Sequence, residues 1–246
     1  MKRIGLRSYT PARVGLGRAG NSLTTGDLLD FQLAHARARD AVHAKLEPAS
    51  LLLPGVLLAS AAPDRTTYLR RPDLGRKLND HSRARLQALD GRNCDAVFVV
   101  ADGLSALAVH RHAGTLLDTV LPRLRSLGWQ IAPLIIAEQA RVAIGDDIGQ
   151  ILQARMTIVL IGERPGLSSP DSLGIYLTWD PKPGRSDAER NCISNIRGEG
   201  LSYTAAAETL IYLMAQARML GLSGVRLKPA DGTPVPTICQ KPDPLH

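Results

Sequence analysis

Ala96-Val-Phe-Val-Val-Ala101, running straight into Asp102-Gly-Leu-Ser105, decides how this chain folds. The apolar run is continuous and rich in β-branched valine, as expected of a strand buried on both faces rather than one alternating between core and solvent. Turn chemistry follows at once. Gly103 supplies a permissive backbone, and Asp102 or Ser105 caps a helix. Exposed N–H groups at that helix start could also take a ligand. The pattern then repeats downstream. Leu116, Leu117, Val120, Leu121 and Leu124 lie on a helical i, i+4, i+8 lattice, in which Pro122 predicts a kink or a local helix start. Strands are expected at 131–137 and 156–161, around a short helix near 146–154. A further strand covers Leu173–Trp179, and a long helix runs over about 204–220. This alternation predicts an α/β fold: a Rossmann-like parallel sheet with right-handed crossovers, flanked by helices.

Before Asp90-Gly91 the chain reads differently. Residues 1–20 are basic and carry Gly15, Gly17 and Gly20, the pattern of an extended or loop segment. Thr24 and Thr25 can cap a helix to about Lys45, with Asp27 and Asp30 favouring its positive end. Leu28, Phe31, Ala38 and Val42 fall near one face of it. Pro48, Pro54 and Pro63 break up residues 48–66, whose short apolar runs read as strand or buried loop. A second helix is expected from about Asp73 to Leu89. The chain therefore divides into a basic, mainly helical region 1–90, a Rossmann-like domain 91–227, and a Pro-rich extended tail 228–246.

Composition narrows the setting. With 246 residues, 44% of them hydrophobic and 22% charged, the chain can bury a substantial core. No apolar run approaches the roughly 20 residues that a membrane helix needs. Met1-Lys-Arg-Ile4 lacks the apolar stretch of a signal peptide. Cys94, Cys192 and Cys239 are odd in number and widely spaced, which points to a reducing, cytoplasmic compartment. The net charge of +7 is concentrated: residues 1–90 hold 15 Lys and Arg against 8 Asp and Glu, and the remainder is balanced. Such a region suits nucleic acid, a phosphate-bearing cofactor or an acidic partner. Aromatics are only 4% and do not interleave with the basic residues, which speaks against nucleic acid.

Several motifs compete for a functional meaning. Gly15-Leu-Gly-Arg-Ala-Gly20 matches the dinucleotide fingerprint, and supports as alternative an independent nicotinamide-dependent oxidoreductase. The fingerprint needs a strand before it, however, and Pro11 makes that segment a poor one. A basic turn is the plainer reading. Ile161-Gly-Glu-Arg-Pro-Gly166 and Asn191-Cys-Ile-Ser-Asn195 each follow an apolar run. Both are placed on loops at the carboxyl edge of the sheet, where α/β folds bind cofactors. Glu163 there is either a solvated partner of Arg164 or a ligand contact. Cys192 has no His or second Cys at metal-ligand spacing, so no metal site is expected. Arg70, Arg71, Arg76 and Lys77 are solvated, or meet an acidic partner or a phosphate. Ser105 is not in a nucleophile elbow, His110 and His112 lie on different helix faces, and no carboxylate pair stands out. No catalytic residue is expected in this chain.

Taken in order and spacing, many segments resemble one family. They are Ala12-Arg-Val14, Gly17-Arg-Ala-Gly20, Leu28-Leu-Asp-Phe31, Tyr68-Leu69 with Arg71-Pro-Asp-Leu-Gly75, and Asp102-Gly-Leu-Ser105. Further along come Arg141-Val142, Asp147-Ile-Gly149, Gly162-Glu-Arg-Pro-Gly-Leu167 and Cys192-Ile-Ser-Asn-Ile196. Together they resemble the small subunit of adenosylcobalamin-dependent ethanolamine ammonia-lyase, from Ala12 to about Leu220. The resemblance implies a lyase that converts ethanolamine to acetaldehyde and ammonia by a radical mechanism, active only with a large catalytic subunit. It implies that adenosylcobalamin is held between the two chains of a hetero-oligomer, with no nucleic acid and no membrane involved. The cofactor carries the hard chemistry, which accounts for the missing catalytic constellation. Carried over by position, the cobalamin contacts are Val142 on the corrin's apolar parts, Glu163 on its amides and Cys192 in a tight contact. An Asp-x-His-x-x-Gly segment is absent, so the cofactor is expected to keep its own benzimidazole below cobalt. Some members carry a long N-terminal extension associated with a bacterial microcompartment. Here the matching segments start at Ala12, which leaves cytoplasm and microcompartment both open.

Overall fold

The computed structural model describes residues 10, 12–89 and 93–227. The predicted tail 228–246 and most of the segment before Ala12 lie outside the described residues. The elements are β1 (Arg18–Ala19), β2 (Ser22–Leu23), α1 (Thr25–His43), β3 (Gly55–Ala59), α2 (Arg65–Arg70), α3 (Asp80–Gln87) and β4 (Ala96–Ala101). Then follow α4 (Ala106–Ser126), β5 (Leu134–Glu138), α5 (Ile144–Leu152), β6 (Met156–Gly162), β7 (Leu173–Trp179), β8 (Arg190–Ile196) and α6 (Tyr203–Leu220).

The main sheet has six strands in the order β3-β5-β4-β6-β7-β8. β3, β5, β4 and β6 run parallel, whereas β7 and β8 are antiparallel to their neighbours. The expected parallel sheet is thus corrected to a mixed one. The reason lies in chain length: only residues 163–172 join β6 to β7, and they hold no helix. A parallel return needs a crossover of a dozen or more residues, so the chain turns straight back. Of the 48–66 stretch read as strand or buried loop, Gly55–Ala59 is strand: β3 pairs with β5 as an edge strand of this same sheet, so the N-terminal region contributes to it.

Burial follows the sequence pattern. Every residue of β4 and β6 is buried. On one face Phe98, Val100, Ile158 and Leu160 pack with Leu116 and Leu124 of α4 and with Leu210 and Met214 of α6. On the other, Val97, Val99, Ile135 and Val159 pack with Leu86 of α3 and with Ile144 and Ile148 of α5. Each such side chain contributes about 1.5–3 kcal/mol by leaving water, which makes the two-sided sheet the rigid frame of the molecule.

Local signals explain the helix starts. The Thr24 hydroxyl accepts from the Asp27 N–H at 3.3 Å, and the Ser105 hydroxyl accepts from the Ala108 N–H at 3.3 Å. The helix expected over 73–89 instead splits into a 3-10 turn, Leu74–Arg76, and α3, capped by Asn79. Pro122 does not interrupt α4. Asn191–Asn195 is not a loop but part of β8. The buried residues of β8 are Arg190, Ile193 and Ile196. Ile193 and Ile196 are three apart because the β7–β8 register shifts between Leu173 and Ile175. Arg190, in regular register with Ile193, faces the other side of the sheet and meets Asp146 of α5. A bulge of this kind erases the period of two by which a strand is read from sequence. No helix among the described residues is long and apolar enough to cross a membrane.

Candidate functional site

The carboxyl ends of β4 and β6 lie side by side, and the turns that leave them build the floor of a cavity of about 440 Å³. Its lining includes Tyr68, Leu104, Arg141, Val142, Glu163 and Tyr176. Two glycines make the close approach there. Gly103 has φ +54, and a Cβ on it would stand 2.2 Å from the Gly162 carbonyl oxygen. A Cβ on Gly162 would stand 2.0 Å from the Ser105 carbonyl oxygen. With both side chains absent, the Leu104 N–H donates to the Gly162 carbonyl at 2.9 Å, and the two turns lock together.

Below the cavity sits a buried polar group. Asp102 accepts from the backbone N–H groups of Gln139 at 3.1 Å and Ala140 at 2.9 Å, and from Arg65 at 3.1 Å. It therefore fixes the loop that carries Arg141 and Val142. Arg65 also donates to the Val42 and Gly103 carbonyls. The ring of Tyr68 lies between two guanidinium groups, Arg65 at 4.8 Å and Arg141 at 4.3 Å, and its hydroxyl donates to the Ala140 carbonyl. Burial pushes the Tyr68 phenol upward, so it remains a neutral donor.

Burial also raises the Asp102 carboxyl, to about 6, although the Ala140 N–H and Arg65 both pull it down. A raised native value means that the stability contributed by the protonated form is complete at low pH and is lost as pH rises through about 6. The wild type should therefore lose stability relative to Asp102→Asn between about pH 4 and pH 7. Denaturant unfolding of both proteins across that range checks this; parallel pH profiles would contradict it.

The residues singled out from sequence are not all in one place. Val142 and Glu163 face the same cavity. Glu163 is not held by Arg164. Its carboxylate accepts from the Ser172 hydroxyl and from the Asn195 N–H at 3.2 Å, across the bulge of β8. Cys192 stands on β8 opposite Tyr176. It borders the site through Tyr176 rather than lining the cavity itself. Desolvation and the nearby Glu163 carboxylate hold the Cys192 thiol above its ordinary range, so it stays protonated. Arg65 and Tyr176 carry no motif, and only the fold brings them here.

Gly15–Gly20 has no part in this edge. Arg18–Ala19 and Ser22–Leu23 form a separate two-stranded hairpin, and the Gly17 N–H donates to the Asp27 carboxylate at 2.9 Å. The strand–turn–helix context that a dinucleotide fingerprint requires is not present at this segment. The oxidoreductase alternative is not supported.

The fold is that of an α/β protein with a mixed six-stranded sheet, and its cavity opens at the carboxyl edge of the parallel strands. This chain belongs to the ethanolamine ammonia-lyase light chain family, whose model matches residues 2–228. It is similar to the ethanolamine ammonia-lyase small subunit of Azotobacter vinelandii, 59% identical over 233 residues, which span 91% of this chain and 86% of that one. The small subunit of Xanthomonas campestris pv. campestris is 58% identical over the same shares. That of Pseudomonas fluorescens is 56% identical, over 92% of this chain and 86% of its relative.

Proposed function

We propose that this chain is the small subunit of an adenosylcobalamin-dependent ethanolamine ammonia-lyase and holds the cofactor jointly with a large catalytic subunit, in the cytoplasm or a microcompartment. The observation that carries the reading is the shared cavity of Val142 and Glu163, two elements apart in sequence and joined at one sheet edge. The residues present suit a corrinoid. Val142, Leu104 and Tyr176 offer apolar surface, the Glu163 carboxylate offers acceptor lone pairs, and the Arg141 Nε is a buried donor with no partner among the described residues. A corrin edged with neutral amides needs both kinds of contact. When bound, the cofactor would supply a carbon-centred radical that takes hydrogen from ethanolamine on the partner chain. The residues here bind and orient. Ser172 and Asn195 fix the Glu163 carboxylate, Asp102 fixes the Val142 loop, and the Tyr176–Cys192 pair closes the β7–β8 side.

The test is cobalamin retention by the complex with the large subunit, measured by equilibrium dialysis. Removing a hydrogen bond that involves a charged group costs about 1.5–3 kcal/mol, so Glu163→Ala should weaken retention roughly ten-fold or more. Cys192→Trp should also weaken it, through steric clash beside Tyr176. A cooperative unfolding transition in each variant would show that the subunit remains folded. Unchanged cofactor affinity in both variants would reject the proposed contacts. Acetaldehyde should form from ethanolamine only when both subunits are mixed with the cofactor.

A further inference from the structure

A second cavity, of about 290 Å³, adjoins the first and shares Arg141 and Val142 with it. Its walls carry four guanidinium groups: Arg76, Arg141, Arg185 and Arg190. Two of them are already neutralised. Arg185 pairs with Asp180 and Glu189, and Arg190 pairs with Asp146 at 2.6 Å. Asp187, also in the wall, lies 3.5 Å from the Arg190 Nε. Arg76 and Arg141 have no carboxylate partner among the described residues.

The Nε of Arg141 and that of Arg190 are both buried without a hydrogen-bond acceptor. Arg190 itself is almost wholly buried, its side chain only 2% exposed. The wall also contains Val142 and Ala143, where α5 begins. That helix start is already served by Asp146 and Asp147, and its Ile144, Gly145 and Asp146 N–H groups donate to the Arg141, Val142 and Ala143 carbonyls, so the cavity's positive character comes from its side chains. Arg76 is held against this wall by its own turn: the Gly75 carbonyl accepts from the Arg141 N–H at 2.8 Å. Guanidinium groups without a carboxylate partner, beside a buried Nε that lacks an acceptor, define a site for an oxyanion.

We propose that this cavity takes the phosphodiester of the cobalamin nucleotide loop, an inference that rests on the cofactor reading above. The two cavities differ in kind as the two parts of that ligand do. The first presents apolar surface and a carboxylate acceptor, suited to a corrin with neutral amides. The second presents unneutralised guanidinium donors, suited to the ligand's single phosphate charge. Arg76 is the binding residue the second site adds, and Arg141 spans both.

The experiment uses the complex with the large subunit and two corrinoids: cobalamin, and cobinamide, which lacks the nucleotide loop and its phosphate. Binding is followed by ultrafiltration and visible absorption. Arg76→Gln should weaken cobalamin binding about ten-fold and leave cobinamide binding unchanged. Arg76→Lys, which keeps the charge, should recover part of the loss. Added salt should weaken cobalamin more than cobinamide in the wild type, and that difference should shrink in Arg76→Gln. Equal effects of Arg76→Gln on both corrinoids, or no effect on either, would overturn the phosphate site while leaving the cofactor reading intact. So would weakened subunit association, measured by sedimentation, with corrinoid affinity unchanged. Failure of the wild-type complex to bind either corrinoid would remove both proposals together.

Discussion

Asp146→Ala should destabilise this protein by about 3–5 kcal/mol, the effect of stranding a buried guanidinium without its carboxylate. Arg190 donates to both Asp146 oxygens, at 2.7 and 2.6 Å, and its remaining contacts are Thr178, the Arg185 carbonyl and the flank of Asp187. Both side chains of the pair are only 2% exposed. The pair bolts the first turn of α5 to the start of edge strand β8, where Arg190 stands opposite Thr178 of β7. Burial keeps the Asp146 carboxyl above its ordinary range even with Arg190 beside it, so desolvation is not fully offset. The intact pair therefore adds little net stability, and the large cost belongs to breaking it. Two measurements separate these statements. Urea unfolding of Asp146→Ala should show the full loss, and the double variant Asp146→Leu with Arg190→Met should recover most of it. A loss below about 1 kcal/mol in the single variant would mean that Arg190 transfers to Asp187.

That pair also marks where sequence reading stops. β4 and β7 were legible to the residue, because a strand buried in mid-sheet must be apolar along its length. α1 and α4 were legible from Thr24 and Ser105, because a cap acts within one turn of its own helix. β8 was not: Asn191, Cys192, Ser194 and Asn195 make it read as loop, and a bulge sets its core residues Ile193 and Ile196 three apart instead of two. β3 is short and follows Pro54, so its strand identity comes from pairing with β5 rather than from its own pattern. The site divides in the same way. Glu163 and Val142 stand on loops whose position at the sheet edge follows from the strands before them. Arg65 lies 37 residues from Asp102, and the Glu163 carboxylate 32 residues from the Asn195 N–H. No local spacing encodes such contacts, since they exist only once the sheet order is set.

Gly162→Ala should be the most damaging small substitution near the cavity. The added Cβ would lie 2.0 Å from the Ser105 carbonyl oxygen and 2.7 Å from that of Asp102. Both obstacles are backbone, so no rotamer change relieves the clash; the end of β6 must move away from the turn after β4. Overpacking that displaces backbone costs about 1–3 kcal/mol or more. The movement also breaks the Leu104 N–H bond to the Gly162 carbonyl and shifts Glu163, the next residue in the chain. Stability and cobalamin retention should therefore fall together. Gly114→Ala in α4 is the matched control: its Cβ meets nothing within 4 Å, and alanine is favoured over glycine in a helix by up to about 1 kcal/mol. That variant should unfold at equal or higher denaturant concentration and retain cofactor normally. Gly162→Ala unfolding at the wild-type midpoint would show that the two turns are not packed backbone against backbone, and the rigidity assigned to the cavity floor would have no source.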